Sequence, residues 1–89
     1  MSDINLKQIL EGALFASREP MSIYQMKKLF GDQKAPTEGM LREALACLAD
    51  DYQGRAVSLI EVAGGFRFQV IDALAPYLAN LTDEKHGRY

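Results

Sequence analysis

Few side chains in this sequence have the chemistry of catalysis or of metal binding. The chain of 89 residues holds one cysteine, Cys47, one histidine, His86, and an acidic pair, Asp50-Asp51. A nucleophile needs a base held beside it, and His86 lies in a polar C-terminal stretch that provides no fixed geometry. Two adjacent carboxylates supply too few ligands for a metal ion. We therefore predict a protein that is not an enzyme and that holds no cofactor and no metal.

The overall composition is that of an ordinary globular domain. Hydrophobic residues make up 48% and charged residues 25% of the chain, and the formal net charge is −2. No apolar run approaches the roughly 20 residues that cross a membrane, and the N-terminus lacks the basic start of a signal peptide. The single cysteine excludes an internal disulfide and suits a reducing compartment. We expect a cytoplasmic protein that contacts no membrane and takes no small-molecule substrate.

Apolar residues at helical spacing predict three helices before residue 53, over residues 3–17, 22–30 and 37–52. The first has Ser2 or Asp3 as its N-cap, and the third has Thr37. The second begins with a capping box made by Ser22 and Gln25. Cys47 lies within the third helix, where a small buried side chain is expected.

Two apolar runs around Gly64 and Gly65 predict a β-hairpin over residues 57–70. A two-residue turn at the two glycines would scatter the apolar side chains over both faces. A three-residue loop that adds the preceding alanine gathers them on one face, namely Ile60, Val62, Phe66, Phe68 and Val70. Because a slip of one residue exposes a whole buried face, we predict the three-residue loop. It places Gly65 in the left-handed conformation and pairs Glu61 with Arg67.

The order of three helices, a hairpin and a final short helix predicts a winged helix-turn-helix of the α+β class. The last helix begins near Pro76, and its apolar side chains are expected to pack under the sheet, these being Leu74, Tyr77, Leu78 and Leu81. A short extra strand near residues 20–21 or 34–36 would add to the wing. We assign residues 1–81 to the winged-helix domain and 82–89 to a linker or disordered tail.

One row of the first helix lies outside its apolar stripe and consists of Ile4, Gln8, Glu11 and Phe15. Two interpretations are open. Phe15 is close to the helix end and could fold over into the core, since tertiary packing often overrides a helical wheel. Alternatively, an apolar row outside the core stripe marks a contact surface, which makes the four residues a hypothetical subunit interface.

The main alternative function for this fold is that of a DNA-binding transcription regulator, whose third helix enters the major groove. Here that helix carries four acidic residues against a single arginine, Arg42, so its formal charge is −3. Phosphate contacts supply most non-specific affinity for DNA and need basic side chains. The charge disfavours DNA binding and favours a protein interaction role.

Several segments together resemble the N-terminal domain of the segregation and condensation protein B family. The resemblance covers about residues 6–81. It begins with LKQILEGALFASREPMS at residues 6–22 and continues through LADDYQGR to VSLIEVAGGFRFQV at residues 57–70. Its most specific pieces are residues 14–17, Glu19-Pro20, Asp51-Tyr52 before Gly54-Arg55, and residues 62–67.

This resemblance implies a bacterial, cytoplasmic and nucleoid-associated protein without enzymatic activity. It also implies a homodimer that binds the kleisin subunit of the SMC condensin complex in chromosome condensation and segregation. DNA would then be reached only indirectly, through the complex. Members of the family carry a second winged-helix domain, and residues 82–89 correspond to the start of the connecting linker. We therefore expect this chain to be a fragment of a longer protein.

Overall fold

The computed structural model describes residues 5–31 and 33–82 of the chain. In order, its elements are α1 (Leu6–Ala16), α2 (Ile23–Lys28), α3 (Glu38–Asp51), β1 (Val57–Val62), β2 (Gly65–Val70), a short 3-10 helix (Asp72–Leu74) and α4 (Ala75–Thr82). This is the predicted order of three helices, a hairpin and a short last helix. The predicted linker or tail lies outside the described residues, except for its first residue, which ends α4.

Helix α1 begins later than predicted, because a capping box forms at Asn5. The Asn5 side-chain oxygen accepts a hydrogen bond from the backbone N–H of Gln8 at 2.8 Å, and the Gln8 side chain accepts one from the Asn5 N–H at 3.0 Å. This reciprocal pair satisfies two donors that the first helical turn leaves without partners. The prediction of Ser2 or Asp3 as the N-cap is therefore wrong.

The starts of α2 and α3 confirm the local predictions. Ser22 and Gln25 form the predicted capping box, with the Ser22 hydroxyl accepting from the Gln25 N–H at 3.1 Å. Thr37 caps α3 by accepting from the Met40 N–H at 3.1 Å. After α2 the chain turns at Gly31, whose φ of 58° is left-handed.

The three helices enclose a small core of six buried side chains, Leu10, Leu14, Met26, Leu41, Leu45 and Leu48. Side chains from α1, from α2 and from the hairpin pack around it. Cys47, predicted to be buried, is exposed. It precedes Leu48 by one position, and a helix turns by about 100° per residue, so Cys47 points away from the core.

The register of the hairpin differs from the predicted one. Strand β1 pairs with β2 so that Glu61 lies opposite Phe66 and Val62 opposite Gly65, with a two-residue turn at Ala63-Gly64. Gly65 is therefore the first residue of β2, at a φ of +136°, and not the left-handed residue of a three-residue loop. The prediction assumed one buried face, but five of the six β1 residues are half-buried, so alternation could not select the register.

The predicted ion pair between Glu61 and Arg67 is also wrong, because the register puts the two on opposite faces of the hairpin. A Glu61 carboxylate oxygen lies 4.0 Å from Nη1 of Arg42 on α3. Arg67 instead donates a hydrogen bond to the side-chain oxygen of Gln69 at 2.8 Å. The wing therefore presents Arg67 on its outer face and Glu61 toward α3.

A third chain segment joins the wing, at one of the two predicted positions. Met21 and Phe66 form an antiparallel bridge in which each backbone N–H donates to the other's carbonyl at 2.9 Å. The bridge ties the start of α2 to β2. It also brings the Met21 backbone so close to Gly65 that a Cβ there would lie 2.3 Å from the Met21 carbonyl oxygen. This contact explains why a glycine opens β2.

Helix α4 does not pack under the sheet as predicted. Its side chains Tyr77, Leu78 and Leu81 are exposed, with Tyr77 at 71% of its full accessibility. Within the described residues, the apolar side of α4 is therefore not part of the core.

Candidate protein interaction site

Three aromatic rings meet where α1, α3 and β2 come together. Phe15 near the end of α1 stacks on Phe68 of β2, with ring centroids 4.2 Å apart and planes 14° apart. Tyr52, the C-cap of α3, lies 4.8 Å from Phe68 in a tilted arrangement. Offset and tilted ring pairs of this kind contribute about 0.5–1.5 kcal/mol each beyond their burial. We call Phe15, Tyr52 and Phe68 the aromatic cluster.

Phe15 was predicted either to fold over into the core or to lie in a subunit interface, and its exposure falls between these two interpretations. The ring is 54% exposed, so it does not fold over into the core. It is nevertheless supported from behind by Phe68. A large apolar ring that is held in place with one side open to water is typical of a contact surface.

Glu11, another member of the predicted row, is engaged within the domain. The Tyr52 hydroxyl donates a short hydrogen bond to a Glu11 carboxylate oxygen. This hydrogen bond, and secondly burial, raise the pKa of the Tyr52 hydroxyl above its ordinary value. The Arg55 guanidinium lies 5.9 Å from the Tyr52 ring centroid. Glu11 therefore positions the aromatic cluster.

Replacing Glu11→Gln should lower the pKa of Tyr52, because a neutral amide is a weaker acceptor and removes the nearby negative charge. A raised pKa favours the protonated hydroxyl in the folded state, so its contribution to stability is present at neutral pH and lost as the pH rises through the folded pKa. NMR titration of the labelled tyrosine ring carbon measures the change. The matched control is Glu19→Gln, an exposed acid outside the cluster, and an unchanged midpoint in Glu11→Gln would contradict the assignment.

The remaining members of the predicted row are distributed differently. Gln8 is exposed and also closes the capping box of α1, while Ile4 lies outside the described residues. Tyr52 and Phe68 were not predicted from the sequence as neighbours of Phe15. Tyr52 was placed at the end of the apolar stripe of α3, and Phe68 in the hairpin. Neither the helical nor the strand pattern shows that both rings meet Phe15 at the end of α1.

The basic side chain of α3 is held by acidic neighbours. Nε of Arg42, the only basic residue of this helix, lies 3.0 Å from a carboxylate oxygen of Glu38. The Arg42 side chain also approaches Glu61 at 4.0 Å and lies 6.0 Å from the ring centroid of Phe66. An arginine held by two carboxylates is poorly placed to bind phosphate. The structure therefore adds to the electrostatic argument against docking in a DNA groove.

Other kinds of site find no support within residues 5–31 and 33–82. No group of three or more histidine, cysteine, aspartate or glutamate side chains there is arranged to hold a metal ion. Each helix in the same ranges is too short or too polar to cross a bilayer.

A family model described as the segregation and condensation complex subunit ScpB matches residues 8–89, nearly the whole chain. The chain belongs to the ScpB family. A relative from Coxiella burnetii (strain RSA 493 / Nine Mile phase I), a segregation and condensation protein B homolog, is 39% identical over 89 residues. The match covers 100% of this chain and 43% of the relative, so the chain spans less than half of that protein's length.

Solved structures of ScpB proteins share the architecture. The crystal structure of a dimer of the ScpB N-terminal domain complexed with an ScpA peptide is 28% identical, covers 84% of this chain and 91% of that one, and has a TM-score of 0.71. ScpB from Mycobacterium tuberculosis, at 22% identity, covers 100% of this chain and 56% of its own, and has a TM-score of 0.76. The predicted winged helix-turn-helix fold is confirmed.

Proposed function

We propose that this chain is a protein interaction module of an ScpB subunit, which forms a homodimer and binds the kleisin of an SMC complex in chromosome condensation and segregation. The observation that carries the proposal is the similarity to a relative whose N-terminal domain was crystallised as a dimer with an ScpA peptide. Such a role is non-enzymatic. The chain would then act in the cytoplasm at the nucleoid, and it would contact DNA only indirectly, through the SMC complex.

The exposed side of α1 supports the homodimer. Gln8, Gly12, Phe15 and Ala16 recur at helical spacing, are exposed and carry no charge. A Cβ at Gly12 would find nothing within 4 Å, so packing within the domain does not require glycine there. The missing side chain lets a second backbone approach closely, and a two-fold axis brings the same surface of both copies together. We call these four residues the α1 surface.

Gly12→Glu should convert the dimer into a folded monomer. Glutamate favours a helix over glycine by roughly 0.5–1 kcal/mol, so the monomer keeps or gains stability. The new charge lies in the middle of the α1 surface and is present on both copies. We expect dimer affinity to fall by at least about 30-fold, the effect of losing an interface hot spot. Sedimentation equilibrium measures the affinity, and circular dichroism checks the fold.

A matched control makes the same change at another exposed helical glycine. Gly39→Glu on α3 has only an ordinary contact, with the Thr37 hydroxyl oxygen 3.9 Å from the added Cβ, and it should leave the dimer intact. If Gly12→Glu dimerises as tightly as the parent, the α1 surface is not the interface. A parent chain that stays monomeric at high micromolar concentration would contradict dimerisation through this domain.

A further inference from the structure

Phe15 belongs both to the aromatic cluster and to the α1 surface. One side of its ring stacks on Phe68 of β2, with ring centroids 4.2 Å apart. The other side is open to water, and 54% of the residue is exposed. Phe15 therefore connects the surface proposed for the homodimer with the second strand of the wing.

The connection between α1 and α2 makes a second contact with the same strand. Met21, six residues after Phe15, forms the antiparallel bridge with Phe66. Phe66 and Phe68 are two positions apart, so they lie on one face of β2 and about 7 Å apart along it. Both side chains pack against the helical core. The end of α1 and the residues that follow it thus hold β2 at two neighbouring points.

The residues between these two contacts form a short link with little freedom. The Ser17 hydroxyl donates a hydrogen bond to the carbonyl oxygen of Glu19 at 2.6 Å and accepts one from the Glu19 N–H at 3.3 Å. Pro20 follows, and its ring restricts its own φ. The same ring lies beside the turn of the wing, since a Cβ at Gly64 would be 3.6 Å from it. A link of this kind makes the two contacts with β2 depend on each other.

Tyr52 supports Phe68 from the end of α3. Its ring centroid lies 4.8 Å from that of Phe68 and 6.3 Å from that of Phe15. Its hydroxyl donates to Glu11, one turn before Phe15 on α1. The place of Phe68 is therefore set by α1 and α3 together, and the Phe15 ring is oriented by the same contacts.

We infer that Phe68 is a positioning residue for the homodimer and that dimerisation in turn fixes the wing, an inference that rests on the proposed function. While β2 is seated, Phe68 holds the Phe15 ring in the orientation that it presents on the α1 surface. When the bridge at Met21 opens, Phe15 loses this support and a second copy binds it less tightly. Because coupling between two sites is reciprocal, a copy that covers Phe15 favours the seated wing.

Phe68→Leu tests the positioning role. Leucine keeps an apolar side chain against the core but removes the ring that stacks on Phe15. We expect the affinity of the homodimer to fall at least about fivefold, which is the lower end of typical couplings between two sites. Sedimentation equilibrium measures the affinity, and circular dichroism checks that the variant is folded.

The matched control is Phe66→Leu, the same change two positions away on the same face of β2. The ring of Phe66 lies 6.0 Å from the guanidinium carbon of Arg42 on α3, and its bridge to Met21 is formed by the backbone. The affinity of the homodimer should stay within about twofold of the parent, as for sites that act independently. An equal loss in both variants would mean that the stacked ring has no special role.

Amide hydrogen exchange of the parent chain measures the reciprocal effect without a substitution. The N–H groups of Met21 and Phe66 form the bridge and exchange when it opens. We expect both to exchange at least about fivefold more slowly above the dissociation constant of the dimer than below it. The Met40 N–H, which donates to the Thr37 hydroxyl at the start of α3, should exchange at one rate at both concentrations. In Gly12→Glu the bridge should not respond to concentration.

The homodimer and its coupling to the wing fail in different ways. If the parent dimerises while Phe68→Leu dimerises as tightly and the bridge exchanges equally at both concentrations, the coupling is wrong and the homodimer stands. A weaker Phe68→Leu dimer without slower exchange in the parent would make Phe68 a structural support only, which also overturns the coupling. If Phe68→Leu does not fold, exchange in the parent chain decides alone. A parent chain that stays monomeric overturns both.

Discussion

Gly65→Ala should destabilise this domain by roughly 3–5 kcal/mol, the sum of a strained backbone and an overpacked contact. Gly65 adopts a φ of +136°, a conformation that residues with a side chain rarely adopt. Its added Cβ would also lie 2.3 Å from the carbonyl oxygen and 2.7 Å from the backbone nitrogen at the Met21-Ser22 junction. Both neighbours are backbone atoms, so relief requires the bridge between Met21 and Phe66 to open.

The neighbouring glycine provides the control. A Cβ at Gly64 would meet only the Pro20 ring at 3.6 Å, an ordinary contact, so Gly64→Ala should change the free energy of unfolding by less than about 0.5 kcal/mol. Urea unfolding followed by circular dichroism measures both variants at one protein concentration, since dimerisation would shift the midpoint. Equal stabilities of Gly65→Ala and Gly64→Ala would mean that the Met21 segment does not press on Gly65.

Leu41→Ala should cost about 3 kcal/mol, because it removes a fully buried side chain and leaves a cavity. Leu41 is 0% exposed and lies on the side of α3 that faces the core. A domain of this length has a total stability of roughly 4–13 kcal/mol, so the loss is a large fraction of it. The melting temperature should fall by at least about 12 °C, since each kcal/mol shifts a domain of this size by about 4–8 °C.

The adjacent residue provides the control for the core substitution. Met40 is 51% exposed, so Met40→Ala, made on the same helix, should leave stability within about 0.5 kcal/mol of the parent. Thermal unfolding of the two variants compares them directly. A core that tolerated Leu41→Ala as easily as Met40→Ala would have to rearrange around the cavity, contrary to the tight packing of the six buried side chains.

The local features of the fold were predictable because they depend on residues close together in the chain. Ser22 and Gln25 form a capping box within one helical turn, and Thr37 caps α3 in the same way. Gly31 lies in the turn that follows α2, where its own backbone allows a positive φ. Residue type alone does not identify the N-cap of α1, since Ser2, Asp3 and Asn5 are all suitable N-cap residues.

Features of the site depend on segments that are distant in sequence. Phe15 and Phe68 stack although 52 intervening residues separate them, and Tyr52 joins them from the end of α3. Helical spacing showed that Phe15 lies off the core stripe, but it contained no information about which ring would support it. The exposure of α4 was missed for the same reason, whereas that of Cys47 follows from its position beside Leu48 on α3.

The wing combines a feature that local sequence predicts, the hairpin, with one that it does not predict, the register. Residue types and short-range spacing predicted a hairpin at the two glycines, three helices before it and the ScpB family. In the observed register Phe66 also pairs with Met21, more than forty positions away, and the Met21 backbone leaves no room for a Cβ at Gly65. The alternation of apolar and polar residues could not select the register, because both faces of β1 are half-buried. A shift of one residue would then bury about as much apolar surface as the observed pairing.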